Sequence, residues 1–186
     1  MRIISGSLKG RQLQLPKGSA ARPTSDRARE ALFNILQPCI VGSQVLDLFA
    51  GSGALGIEAL SRGAAGCIFV ELDRANARAL RESLVRFAVP QERGVVVNGD
   101  FRHVAPQLVR EGKRFDLIFL DPPYEAGYYR EALKLSCRLL APRGCIVAEH
   151  ERGCPLPDPP EDLEMTDLRQ YGRNTMSFYR SKGDVR

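Results

Sequence analysis

The sequence predicts a single α/β domain with a mostly parallel sheet covered by helices on both faces. Three observations carry that expectation. Between residues 45 and 150, short apolar runs alternate with amphipathic ones. A glycine-rich turn, GSGALG, joins the first apolar run to the helix-like run after it. The pattern then breaks at a proline-dense stretch, CPLPDPPEDL (154–163), followed by two β-type segments around Gly172-Arg173. Strand–helix–strand units impose right-handed crossovers and parallel pairing, and a parallel sheet needs both faces covered. The closing pair reads as an antiparallel hairpin at the sheet edge.

Taken in order, residues 1–22 read as a small basic β-hairpin appendage around Gly6, Gly10 and Gly18, and residues 23–182 as the main domain. Leu13 and Leu15 alternate with polar neighbours, as a strand requires. Residues 25–36 predict a helix: Ala28, Ala31, Leu32 and Ile35 share one face, Thr24, Ser25 or Asp26 can cap it, and Pro38 stops its continuation. VLDLFA (45–50), CIFVE (67–71), GVVVN (94–98), FDLIFL (115–120) and GCIVAEH (144–150) read as strands. Helices are expected over 54–62, 74–87, 101–111 and 129–140. Segments 163–171 and 174–180 form the final hairpin.

The totals exclude several classes. The chain has 186 residues, room for one domain with a core. No apolar run approaches a membrane span, and the first residues lack the apolar stretch of a secretory signal. A cytoplasmic protein is expected. The five cysteines are odd in number and without C-x-x-C spacing, which argues against disulfides or a zinc knuckle. No metal is expected.

The net charge of +5 is localised. Residues 1–30 hold seven basic side chains against two acidic ones (7 − 2 = +5), and the remainder balances at 20 of each. A basic arm on a neutral body suits a polyanionic partner, although a small charge run also serves simply as a solvated face. Arg2, Lys9, Arg11, Arg22 and Arg27 are the candidate contacts to nucleic-acid phosphate, Arg22 and Arg27 alternatively lining a cofactor pocket. Arg29 and Glu30 read equally as helix surface.

Gly51, Gly53 and Gly56 satisfy G-x-G-x-x-G, and Glu71 lies twenty residues beyond Gly51, the pattern of a dinucleotide site. Asp47 argues for a different ligand. A carboxylate four residues before the loop repels a pyrophosphate and suits a cofactor with a positive end, such as the amino group and sulfonium of S-adenosylmethionine; it can equally accept hydrogen bonds from the turn's own backbone. Glu71 ends the second strand, where it can accept ribose hydroxyls and has no evident structural use. Asp100 reads either as an acceptor for the adenine amine, with Phe101 as a stacking face, or as a helix cap. Ala50, Ser52 and Leu72, neighbours of these residues, complete the candidate cofactor contacts with Asp121.

Directly after the fourth strand stands Asp121-Pro122-Pro123-Tyr124. Two prolines stiffen the turn and leave the Pro122 carbonyl without a local donor. A carboxylate, a carbonyl and an aromatic ring within four residues match a planar base with an exocyclic amine. Asp121 and Pro122 accept its two N–H groups, Tyr124 stacks on the ring, and the lone pair is aimed at a methyl donor. Asp121 can also take the released proton. These four residues are the candidate catalytic set.

LDLFAGSGALGIEALSRGA with DLIFLDPPY resembles the amino-methylating class of S-adenosylmethionine-dependent methyltransferases. RIISGSLKGRQL and RPTSDRAREALFNIL resemble, more specifically, the bacterial small-subunit ribosomal RNA (guanine-N2) methyltransferase D family, over about residues 2–180. The resemblance implies a Rossmann-like, seven-stranded class I methyltransferase sheet and S-adenosylmethionine as donor. It implies a guanine N2 in small-subunit ribosomal RNA, free or in an assembling subunit, as acceptor, and a basic hairpin that helps bind it. A monomer is expected. Alternatives are a DNA or RNA methyltransferase acting on adenine N6 or cytosine N4, a non-catalytic RNA-binding assembly factor and, more distantly, a dehydrogenase.

Two further features read as structural. Glu149, His150 and Glu151 look like a solvated strand end. Tyr128 and Tyr129 start the next helix or form a lid over the base.

Overall fold

The computed structural model describes residues 1–14, 25–123, 127–154 and 156–183. Its elements run α1 (Asp26–Ile40), β1 (Gln44–Asp47), α2 (Ala54–Ser61), β2 (Gly66–Glu71), α3 (Arg74–Arg86) and β3 (Gly94–Asn98), then α4 (Phe101–Arg110), β4 (Phe115–Leu120), α5 (Tyr129–Cys137), β5 (Leu140–Glu151), β6 (Leu163–Tyr171) and β7 (Asn174–Ser181). The strands form one sheet of order β3-β2-β1-β4-β5-β7-β6. The first five are mutually parallel, and β7 runs antiparallel to both β5 and β6.

The order reverses between β1 and β4. Val45 pairs with Cys67 on one side and with Leu117 on the other. At such a switch point the loops leave the strand ends in opposite directions and open a crevice outside the carboxyl ends.

Side chains of the central strands alternate between two cores, as the pleat requires. Val45, Leu117, Phe119 and Val147 pack under α1 and α2. Leu46, Ile118, Leu120 and Ile146 pack under α4 and α5. The same alternation places Asp47, Asp121 and Glu149, each two residues beyond one of the first set, on the α1/α2 side of the strand ends.

The first residues are built into this core rather than appended to it. Ile3 and Leu13 are buried in the α1/α2 cluster. Among the described residues the expected hairpin shows one antiparallel bridge, Arg2 to Gln12, with Gly10 donating to Ile3 and Leu13 donating to Met1; its Leu15 and Gly18 lie outside the described residues. Gly6 lies against the end of α2, where an added Cβ would fall 1.9 Å from the Ser61 carbonyl oxygen. The approach allows Ser7 N–H to bond that carbonyl at 2.8 Å. Glu58 of α2 accepts the N–H groups of Ile4 and Ser5 at 2.8 and 3.0 Å.

Three boundaries depart from expectation. Helix α1 runs through Pro38 to Ile40, which is fully buried; the apolar anchor at Ile40 outweighs the backbone hydrogen bond that proline lacks. Strand β1 stops at Asp47, because Leu48 to Ala50 already turn into the glycine loop while still donating to Phe119 and Val70. Strand β5 begins at Leu140, paired with Phe115, so the preceding helix ends at Cys137 instead of 140. Ser25 supplies the cap of α1, its hydroxyl accepting from Ala28 N–H.

Candidate functional site

Three strand ends converge on the glycine loop. Gly51 and Gly53 have φ of +52° and +75°, a region that favours glycine. A Cβ on Gly56 would fall 2.3 Å from the Phe69 ring, so the third glycine lets α2 lie directly on the sheet.

Asp47 is 2% exposed and accepts the N–H of Gly56 at 3.1 Å. It thereby caps the start of α2, whose own N-cap, Gly53, has no side chain to offer. Both readings of Asp47 meet in one residue: it holds the loop's backbone, and it keeps a carboxyl group buried beneath the crevice. Burial pushes that carboxyl up to about 7; the Gly56 N–H opposes the shift and the Glu71 charge adds to it.

Glu71 has the structural use that its sequence context did not suggest. One oxygen accepts from Gly51 N–H at 2.6 Å and the other from Asp73 N–H at 2.8 Å. Each carboxylate oxygen can accept a second bond, so ribose recognition remains open to it. Leu72 stands 64% exposed beside it.

Asp100 is the cap of α4. It accepts Arg102 N–H at 2.8 Å and pairs with the Arg102 guanidinium at 2.5 Å, which holds its carboxyl below the usual range. Phe101 is 5% exposed, its ring 4.9 Å from Phe49 and 5.4 Å from Tyr128. It is a buried wall rather than an open stacking face. Tyr128 stands at the position before α5 and lies over Phe49, with Arg102 above its ring, while Tyr129 is buried and donates to the Glu149 carbonyl. Both tyrosines belong to the helix and its packing.

Asp121 follows β4 directly and is half-buried; Pro122 is buried and Pro123 exposed. Tyr124 lies outside the described residues. Burial, then the charges of Glu149 and Asp47, raise the Asp121 carboxyl well above the usual carboxylate range. The register explains the proximity: Leu120 pairs with Ala148, so the next residue of each strand stands side by side.

Glu149 was missed. It is 3% exposed, His150 is 6% exposed, and neither belongs to a solvated strand end. Asn174 donates to Glu149 at 2.5 Å, and His150 bridges the Cys154 carbonyl and the Ser177 hydroxyl. β7 covers the edge of β5 where water was expected. The signal lay in the register of two parallel strands, which places a second carboxylate beside Asp121.

Arg2, Lys9, Arg11 and Arg27 are exposed, Arg2 pairing with Asp26 at 3.5 Å; Arg22 lies outside the described residues. Arg29 is fully buried instead of lining the helix surface. It donates to the Arg2 carbonyl and to Asp26 at 3.0 Å, with Nε 3.9 Å from Glu58. No cluster that could hold a metal ion occurs among the described residues, and none of their helices is long and apolar enough to cross a membrane.

Comparison with known proteins gives the chain's family and fold relatives. Residues 1–180 match the family described as Conserved hypothetical protein 95. Ribosomal RNA small subunit methyltransferase D of Escherichia coli K12 is 39% identical over 181 residues, 96% of this chain and 89% of that one. The protein of that name from Haemophilus influenzae is 40% identical over 161 residues, 86% of this chain and 83% of that one. A solved Escherichia coli chain, provisionally classed as a methyltransferase, superposes with a TM-score of 0.86 at 38% identity over 97% of both chains. The sheet is a class I methyltransferase sheet with an antiparallel C-terminal pair.

Proposed function

We propose that this chain, which belongs to the Conserved hypothetical protein 95 family, transfers a methyl group from S-adenosylmethionine to the exocyclic N2 amine of a guanine in small-subunit ribosomal RNA. The observation that carries the reading is the acidic set at the switch point, with Asp121 standing beside Glu149 and near Asp47. The names of relatives at 39% and 40% identity support the RNA substrate class.

The residues fit the cofactor. Asp47, Glu71 and Asp121 suit a ligand with an ammonium and a sulfonium better than one with a pyrophosphate. A Cβ on Gly51 would meet no atom within 4 Å, so the loop is open to a ligand there. Ala50, Gly51, Ser52 and Gly53 would hold it along the loop, and Glu71 and Leu72 at its ribose end. Asp100 and Phe101 would bound its base, as helix cap and buried wall. When bound, the cofactor supplies an electrophilic methyl group.

The chain's own part is positioning and proton handling. Asp121 and the Pro122 carbonyl accept the two amine hydrogens and orient the nitrogen lone pair in line with the methyl, with Tyr124 against the base. The nitrogen then sheds one proton. Asp121, whose carboxyl is raised by burial and by Glu149, is the group suited to take it. The target guanine has to leave its stack to reach the pocket, as base-modifying enzymes require. Residues 1–22 act as an RNA-binding element on the methyltransferase domain of residues 23–182, through Arg2, Lys9, Arg11 and Arg22, and Arg27 of that domain contacts the RNA as well. The enzyme works in the cytoplasm as a monomer without a metal.

The test is methyl transfer from labelled donor to naked small-subunit RNA, to assembling subunits and to DNA, with nucleoside analysis of the products. N2-methylguanine in the RNA is the expected product. Methyladenine or methylcytosine in DNA, or no transfer to any of the three, would overturn the reading.

A further inference from the structure

A second cationic feature stands apart from the crevice. A cavity of about 330 Å³ opens between the returning limb of the N-terminal segment and the last turn of α3, lined by Arg11, Gln12, Leu13, Gln14, Arg86 and Phe87. Phe87 and Leu13 are 4% and 6% exposed and form its apolar floor. Both guanidiniums lie over the Phe87 ring, Arg11 at 5.7 Å and Arg86 at 5.1 Å from its centroid.

Their hydrogen bonds set them further. Arg11 donates to the Arg86 carbonyl at 3.2 Å, and Arg86 donates to the Gln12 carbonyl at 2.8 Å and to the Ser83 hydroxyl at 3.4 Å. These partners are neutral. Among the described residues neither guanidinium is paired with a carboxylate, unlike Arg2, Arg29, Arg62, Arg78, Arg102 and Arg169. Two uncompensated positive charges are therefore held at a fixed place on the surface. Each keeps N–H groups beyond those used in these bonds, because a guanidinium carries five.

A planar, stacked guanidinium with free N–H groups matches phosphate oxygens, and holding two in place beforehand lowers the cost of ordering them on binding. Because Phe87 is covered, a base cannot stack on it; the cavity offers charge and a fork of donors rather than an aromatic platform. The position suits a long substrate. Helix α3 leads away from the carboxyl end of β2, and its 13 residues at ~1.5 Å each put its last turn roughly 20 Å from the crevice end of the sheet.

We propose that Arg11, Arg86 and Phe87 form a phosphate clamp for the backbone of the RNA substrate, remote from the methylated base. The proposal rests on the RNA reading of the function and adds Arg86 and Phe87 to the expected interface.

The test measures binding of a labelled small-subunit ribosomal RNA fragment across a salt series, with wild type, Arg11→Gln, Arg86→Gln, Arg86→Lys and Arg110→Gln. Arg110 is exposed at the end of α4, on the other face of the sheet. Arg11→Gln and Arg86→Gln are each expected to weaken binding about 3–10-fold and to lower the slope of log K against log salt by about one. Arg86→Lys keeps the slope and loses affinity, since it keeps the charge and not the fork. Arg110→Gln leaves both unchanged. Cofactor affinity and melting temperature stay at wild-type values; should Arg86→Gln melt lower, Arg11→Gln decides alone. Unchanged slopes in the Gln variants overturn the clamp, as does an equal loss in Arg110→Gln, which would mean diffuse electrostatics. In either case the function stands if wild type still binds and methylates the RNA. Wild type that binds no RNA overturns both.

Discussion

One oxygen of Glu71 accepts the N–H of Gly51 at 2.6 Å, so a carboxylate at the end of β2 holds the loop that leaves β1. The same side chain is thus a splint for the loop and a candidate ribose acceptor. Glu71→Ala should weaken S-adenosylmethionine binding by about 10–150-fold, the loss of one hydrogen bond to a charged group. Glu71→Gln keeps an acceptor oxygen and should fall between. Calorimetric titration of both variants checks this; wild-type affinity in Glu71→Ala would remove the residue from the cofactor site.

Asp121 separates binding from chemistry. Asp121→Ala should lower kcat by roughly 10²–10⁴-fold, the range for a positioned acid–base group, while cofactor affinity changes little. Asp121→Asn keeps an acceptor for the amine and loses the proton acceptor, so it should retain more turnover than Asp121→Ala. Its burial beside Glu149 works against ionisation, so neither variant should melt below wild type at pH 8. Full turnover in Asp121→Ala would end the assignment.

The Asp47 carboxyl makes two pH predictions. Its ordinary value is 3.8 and its folded value about 7. Between these the folded state holds more protons than the unfolded one, so the stability of the free protein should fall as pH rises from about 4 to 7 and level off above. A cationic ligand favours the ionised form, so cofactor affinity should rise over the same window, with proton release at pH 6. Titration in buffers of different ionisation enthalpy measures that release. Asp47→Asn should reduce it by about one proton, leaving any share from Asp121.

Glu58 joins α2 to the N-terminal segment through Ile4 and Ser5, pairs with Arg62 at the end of its own helix, and lies beside the buried Arg29. Removing its charge leaves Arg29 short of a counterion in an interior site. Breaking such a buried pair costs about 3–5 kcal/mol. At about 2–4 °C per kcal/mol for a chain of this size, Glu58→Gln should lower Tm by roughly 6–20 °C. A melting curve superimposable on wild type would show that the charge of Glu58 is not needed to hold the segment or to balance Arg29.

Much of the fold was legible because local patterns and tertiary demands agreed. GVVVN and FDLIFL became β3 and β4 at the expected residues, since apolar runs bounded by polar turns have one comfortable place in a covered parallel sheet. The departures came where a distant contact won. Ile40 drew α1 past Pro38, and β7 covered Glu149 and His150. In the site, Asp47, Glu71 and Asp121 stood out as carboxylates at strand ends, visible from spacing. Glu149 did not, because its meaning depends on the register of β5 against β4. Nor did the structural use of Glu71, which depends on where the N–H groups of Gly51 and Asp73 turn, whereas the backbone bond of Asp47 was visible as one of its two readings.

Ile3 and Leu13 lie in the same core as the helices that carry the glycine loop. The element proposed to meet the substrate is therefore not a module that can be exchanged at a linker. A graft meant to redirect such an enzyme to another RNA has to bring Gly6, Glu58 and Ser61 with the basic residues, or give up the packing that lets the protein fold. Changes of target along this lineage should accordingly be sought in the exposed side chains of a retained backbone, not in swapped arms.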